Sequence, residues 1–205
     1  MSEKTETRRG RPGYDQQAIL EVAVAVFNEH GYEATSMGML ADRLKLSKAA
    51  IYHHISSKEQ LLEMALGHAL DSLEKVLDDS RDQGDAVARL SFLLRGAVHV
   101  LVRELPSVTL LLRLRGNSEV ERAALARRRT FDKAVTQMVV EAQRDGSIRS
   151  DIAPGVAERL LFGMVNSIAE WYSPEGAEAA DRLATDLLTV AFDGLRAAPE
   201  TPPEG

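Results

Sequence analysis

Between Thr35 and Lys58 the sequence gathers hydroxyls, cations and one phenol at spacings suited to holding phosphate and reading base edges. Leu46, Ala50 and Ile51 can pack on Leu40, Ala41 and Leu44 if both stretches are helical, with Ala41 small where the two backbones approach. That packing leaves Ser47, Lys48, Ala49, Tyr52 and His53 on the outer face. Ser47 and Lys48 would then open a helix, where free backbone N–H groups and the positive end of the dipole favour phosphate. Thr35, followed by Ser36, has the same role at the start of the preceding helix, with Thr35 as the expected cap. Tyr52 offers a hydroxyl on a rigid ring, and Lys58 a cation at the start of the next helix. Lys48, Ala49 and His53 suit base reading in a major groove through hydrogen bonds or methyl contacts. Arg8, Arg9 and Arg11 suit a mobile arm that enters the minor groove or tracks phosphates. The plainer alternatives are solvated charges for Lys48 and Lys58 and a core ring for Tyr52. His53, His54 and His30 raise the question of a metal, but adjacent helical positions point apart, so no metal site is expected.

These residues need short helices held by longer ones, and the punctuation predicts them. Asp15 is a good N-cap, followed by the stripe Ile19, Val22, Ala23, Val26 and Phe27 and closed by Gly31. A second helix is expected over Ser36–Leu44 and a third from Ser47 to about His54, with only Lys45 and Leu46 between them. Ser57 and Gln60 form a capping box for a long fourth helix through Leu77. Beyond Gly84, helices are expected over Ala86–Glu104, Val108–Arg115, Glu119–Arg144, Pro154–Tyr172 and Ala177–Ala197, separated by Pro106, Gly116, Gly146 and Ser173-Pro174.

Composition agrees with an all-α fold: aromatics are only 5% of the 205 residues, while Ala and Leu abound. The net charge of −6 would argue against a nucleic-acid partner were it evenly spread. It is not, because residues 1–60 balance and the whole excess of acid lies after them. Without cysteine, disulfides, thiolate metal sites and cysteine nucleophiles are excluded. No strand alternation, phosphate-loop motif, HExxH or GxSxG appears, and the scattered acids and histidines form no catalytic constellation, so an enzyme is not expected. Nor is a cofactor. The polar, Arg-rich start and the lack of a long apolar run predict a cytoplasmic protein with no membrane association.

Ala18-Ile19-Leu20 through Phe27, Gly31-Tyr32-Glu33-Ala34-Thr35-Ser36-Met37, Ile51-Tyr52-His53-His54 and Ser57-Lys58-Glu59-Gln60-Leu61 together resemble the DNA-binding domain of TetR-family regulators. The likeness covers about the first 65 positions. Ile55 departs from the usual Phe, and Lys45 stands where the inter-helix turn usually has Gly. If that turn needs a positive φ, the lysine carries strain of order 1 kcal/mol. The resemblance implies a ligand-relieved repressor that binds palindromic operator DNA as a dimer. It also implies a division into a basic arm (1–13), a three-helix helix-turn-helix domain (14–60), a helical ligand-binding and dimerisation domain (61–198) and a disordered tail (199–205).

In the second half, Leu160, Leu161, Met164, Val165 and Ile168 on one helix and Leu183, Leu187, Leu188, Ala191, Phe192 and Leu195 on the last would, by the same resemblance, form a four-helix dimer interface. Candidate pocket residues are Phe92, Arg95, His99 and Arg103, then Leu110, Leu111, Arg113 and Asn117, then Phe131 and Val135, and Asn166, Glu170 and Trp171 opposite. The apolar ones are more often core than ligand contacts, and His99 more often a satisfied core histidine. Gly163-Met164-Val165-Asn166 followed by Glu170-Trp171-Tyr172-Ser173-Pro174-Glu175-Gly176 is similar to TetR members that control fatty-acid or phenylacetate breakdown and respond to acyl-CoA thioesters. Arg113, Arg115 and Arg127 to Arg129 would then meet the CoA phosphates. The alternative is a regulator of efflux or other metabolism sensing a different hydrophobic molecule.

Overall fold

The computed structural model describes residues 15–173 and 177–195. Among them the chain forms nine α-helices and one 3-10 turn, with no strand. Contacts divide it into two compact units, one through Ala65 and the other from Leu66. No helix among the described residues is long and apolar enough to cross a membrane.

The first unit is built by local caps. Asp15 accepts the Ala18 N–H at 2.8 Å and starts α1 (Gln16–His30), whose stripe of Ile19, Ala23, Val26 and Phe27 is buried. Gly31, at φ 84°, ends the helix and donates its N–H to Phe27 O. The second helix, α2 (Met37–Leu44), is capped by Ser36, which accepts from Met39 N at 3.2 Å. Thr35, the cap expected from the sequence, does not serve; its hydroxyl turns back to donate to Gly31 O at 2.8 Å, and the residue is buried. Lys45 follows at φ 55° and ψ 38°, the left-handed conformation in which a side chain is strained. It lets Leu46 N reach Ala41 O at 3.0 Å, which closes the turn before α3 (Lys48–Tyr52), capped by Ser47. The long α4 (Lys58–Asp79) opens on a variant of the capping box. Ser57 accepts from Gln60 N, while Gln60 Oε1 reaches one residue further back than expected, to the Ser56 N–H at 2.7 Å.

In the second unit α5 (Ala86–Arg103) is central, burying Leu90, Leu93, Leu94, Ala97, Val98 and Leu101. It packs against α7 (Glu119–Arg144), α8 (Pro154–Trp171) and α9 (Ala177–Phe192). The short α6 (Leu105–Leu112) begins three residues earlier than the sequence suggests. Pro106 lies within its first turn, where the missing N–H would have had no intrahelical partner. Glu121 closes the loop between α6 and α7 by accepting the N–H groups of Arg115, Gly116 and Asn117 at 3.2, 2.7 and 3.0 Å. The last helix stops at Phe192, short of Ala197, because Gly194 adopts φ 78°. The expected tail, 199–205, lies outside the described residues, as does the arm, 1–13.

At Gly96 of α5 a close approach does require glycine. A β-carbon there would stand 2.3 Å from Val76 Cγ1 and 3.1 Å from Val76 Cγ2, on a stiff β-branched side chain of α4. Gly96→Ala is expected to destabilise the second unit by about 1–3 kcal/mol despite alanine's better helix propensity. Thermal unfolding measures it, and a midpoint at or above that of the native chain would show that the two helices can separate at little cost.

Candidate functional site

The outer surface of α2 and α3 collects most of the polar residues singled out from the sequence. Ser36, Ser47, Lys48, Ala49 and His53 are exposed, and Tyr52 is 50% exposed, which sets aside the core-ring alternative. Lys48 lies back over Gly38 of α2. A β-carbon on that glycine would sit 3.4 Å from Ser36 Oγ and 3.5 Å from Lys48 Nζ, so a hydroxyl and an ammonium converge above bare backbone. Such a pair suits an anionic oxygen. His53 and His54 meet edge to face, with ring centroids 5.7 Å apart. Among the described residues no group of three His, Cys, Asp or Glu side chains is placed to hold a metal.

Two expected phosphate contacts make bonds within the fold. Thr35 is buried with its hydroxyl on Gly31 O. Lys58 donates to the carbonyls of Tyr32 and Thr35, both at 2.9 Å, and stands 4.2 Å from the centroid of the Tyr32 ring. Its charge therefore ties the start of α4 to the chain between α1 and α2. Arg8, Arg9 and Arg11 lie outside the described residues.

The second unit encloses a largely apolar cavity of about 460 Å³. Of the candidate pocket residues, Leu111, Phe131 and Asn166 line it, together with Leu70, Leu101, Phe162, Arg128, Arg129, Asp132, Glu158 and Arg159, among others. Phe92, Arg95, His99 and Arg103 do not. They follow a different stripe of α5 and border a separate groove, where Arg95 donates to Thr185 Oγ1 at 3.2 Å and His99 pairs with Asp181 at 3.1 Å. Arg103 there donates to Ser72 and Glu104. Arg113 and Asn117 do not line the cavity, and Asn117 gives its N–H to Glu121. Glu170 and Trp171 are exposed near the end of α8, Trp171 at 61%. Arg127 is held by Glu74 and Asp71, which raise its pKa above the usual arginine range and leave Arg128 and Arg129 as the cavity's cations on α7.

The acids Asp132 and Glu158 were missed by sequence reasoning. Glu158, Phe162 and Asn166 recur at four-residue intervals on α8, so the choice of Asn166 implied the other two. Burial pushes the carboxyl of Asp132 up, against the pull of Arg128. Burial also pushes Glu158 up, Asp132 adds to this, and Arg159 and Arg128 oppose it. A carboxyl raised by folding favours the fold only while protonated, so its penalty grows as pH rises from the ordinary carboxyl range through the raised value. Glu158→Gln removes that penalty. It should raise the melting midpoint near neutral pH by a few degrees and leave it unchanged in acid, where both states bind the proton. A midpoint gain of equal size in acid would mean that charge is not the cause.

The family described as "Tetracyclin repressor-like, C-terminal domain" matches residues 83–195, and "Bacterial regulatory proteins, tetR family" matches residues 19–65. The chain belongs to the TetR family. It is similar to the HTH-type transcriptional repressor KstR2 of Rhodococcus jostii, at 30% identity over 189 residues covering 86% of this chain and 89% of that one. The crystal structure of the TetR regulator SCO3833 of Streptomyces coelicolor superposes with a TM-score of 0.84 at 45% identity, covering 87% and 91% of the two chains. AibR, crystallised with isovaleryl coenzyme A and operator DNA, superposes with a TM-score of 0.73 at 29% identity, covering 86% and 97%. These relatives are transcriptional regulators rather than enzymes, and this TetR-family chain is a DNA-binding transcriptional regulator with their fold.

Proposed function

We propose that this TetR-family regulator is a dimeric repressor, that α2 and α3 read a palindromic operator, and that an acyl-CoA thioester in the C-terminal cavity releases it. The observation that carries the DNA reading is the exposed row Lys48, Ala49, Tyr52 and His53 on α3, joined by Ser36 beside Lys48. Lys48, Ser36, Ser47 and Tyr52 hold phosphates, and Lys48, Ala49 and His53 meet base edges. Arg8, Arg9 and Arg11 belong to an arm that adds backbone contacts.

The effector reading is supported by a cavity with apolar walls for an acyl chain, by Arg128, Arg129 and Arg159 for anionic groups, and by the isovaleryl coenzyme A bound in AibR. Helix α4 gives Leu70 to the cavity lining and Lys58 to the carbonyls of Tyr32 and Thr35. Pressure on the one bears on the helix that anchors the other. The test is a thermal-shift series with acyl-CoAs of increasing chain length against free CoA. A thioester that raises the midpoint where CoA does not supports the reading; no shift with any thioester discards it and leaves the regulator sensing a different hydrophobic molecule.

Dimerisation uses α8 and α9. Leu160 is 60% exposed, Val156 and Val190 are also open, and Leu161, Met164, Leu183, Leu188, Ala191 and Phe192 are partly so. Val165, Ile168 and Leu187 are instead buried within their own chain, so they hold the two helices together rather than facing a partner. Leu160→Glu is expected to convert the dimer to a folded monomer in sedimentation and to weaken operator binding with it. A dimer of native stability would place the interface elsewhere.

A further inference from the structure

A cavity for a plain acyl chain has no use for a buried acid. Yet Glu158 lines it while only 6% exposed, and among the described residues its carboxyl has no hydrogen bond or close ion pair. Asp132, on α7, lines the same cavity near enough to act on Glu158 electrostatically, and so do Arg128 and Arg159 with opposite sign. Buried polar groups without protein partners are rare because each carries the cost of lost hydration, and one that faces a cavity is satisfied by water or by a ligand.

We infer that the effector of this cavity carries a hydroxyl or similar neutral hydrogen-bond donor on its apolar body, and that Glu158, seconded by Asp132, accepts from it. A neutral donor fits better than an ammonium. Arg128, Arg129 and Arg159 line the same space, and a cation would meet their charges along with those of the acids. Burial works against the charge of both carboxyls, and Asp132 adds to this at Glu158, while Arg128 opposes it at both. The inference rests on this cavity being the effector site, and not on the CoA group.

Its test uses a pair of isomers without CoA, 1-octanol and methyl heptyl ether, which differ in whether the oxygen can donate. NMR titration of the full-length protein should show the alcohol binding about tenfold more tightly, the expected size for one hydrogen bond to a buried acceptor. E158Q, whose amide oxygen still accepts, should keep much of that preference, and E158L should abolish it. Equal affinity of the native protein for the two isomers, binding of neither, or an undiminished preference in E158L would each overturn the inference. The native comparison stands alone should E158L not fold. Failure of the thioester series would leave this result unchanged, so the two readings fail separately.

Discussion

Replacing Lys48 or Tyr52 with alanine is expected to weaken operator binding by about tenfold or more and to leave the melting midpoint within a degree or so of the native value. Both side chains are exposed on α3, and removing them opens no cavity. The core beneath is supplied by Ile51, Leu40 and Leu44, which the substitutions do not touch. Lys48→Ala removes a cation and should also flatten the dependence of log affinity on log salt by about one unit. Tyr52→Ala removes no charge and should leave that slope alone. Tight, unchanged binding by both variants would mean that α3 does not face the DNA.

Lys58→Ala should behave in the opposite way. Its ammonium donates to Tyr32 O and Thr35 O and lies against the Tyr32 ring, and Tyr32 O would still accept the Thr35 N–H at 3.2 Å. Thr35 O would lose a charged donor in a part-buried setting, at a cost of about 2 kcal/mol. The melting midpoint of the N-terminal unit should fall by several degrees. Operator binding should weaken only as far as the unit unfolds or the α1–α2 connection loosens. A loss of affinity with an unchanged midpoint would return Lys58 to the role of a phosphate contact.

The helix-turn-helix is largely legible in the sequence because its boundaries are chosen locally. Asp15, Ser47 and Ser57 each bond an N–H three residues on, a decision made within one turn of chain. Thr35 and Ser36 show the limit of that reading. Either hydroxyl can cap, and the choice went to Ser36 because Thr35 is drawn inside, where Gly31 O is within reach. Lys45 was readable as a strained turn only through the family resemblance, which usually has Gly at that place.

The cavity was far less legible. On α5 the sequence drew attention to Phe92, Arg95, His99 and Arg103, but Ala97 and Leu101 face the space, and which stripe of an amphipathic helix meets a void depends on helices far along the chain. Arg127 looks equivalent to its neighbours in the run Arg127 to Arg129 until Glu74 and Asp71 of α4 claim it. The same limit applies to α8 and α9, where periodicity marks Leu160 and Ile168 alike as apolar, though one is open and the other buried.

The central claim is that this chain holds one DNA sequence and lets it go when its cavity fills. The direct measurement is fluorescence anisotropy of a labelled duplex from the DNA flanking its own gene, in excess random duplex, before and after adding an acyl-CoA thioester. Binding that survives the competitor and collapses on addition of the thioester is the predicted result. Binding no tighter than to random DNA would contradict it.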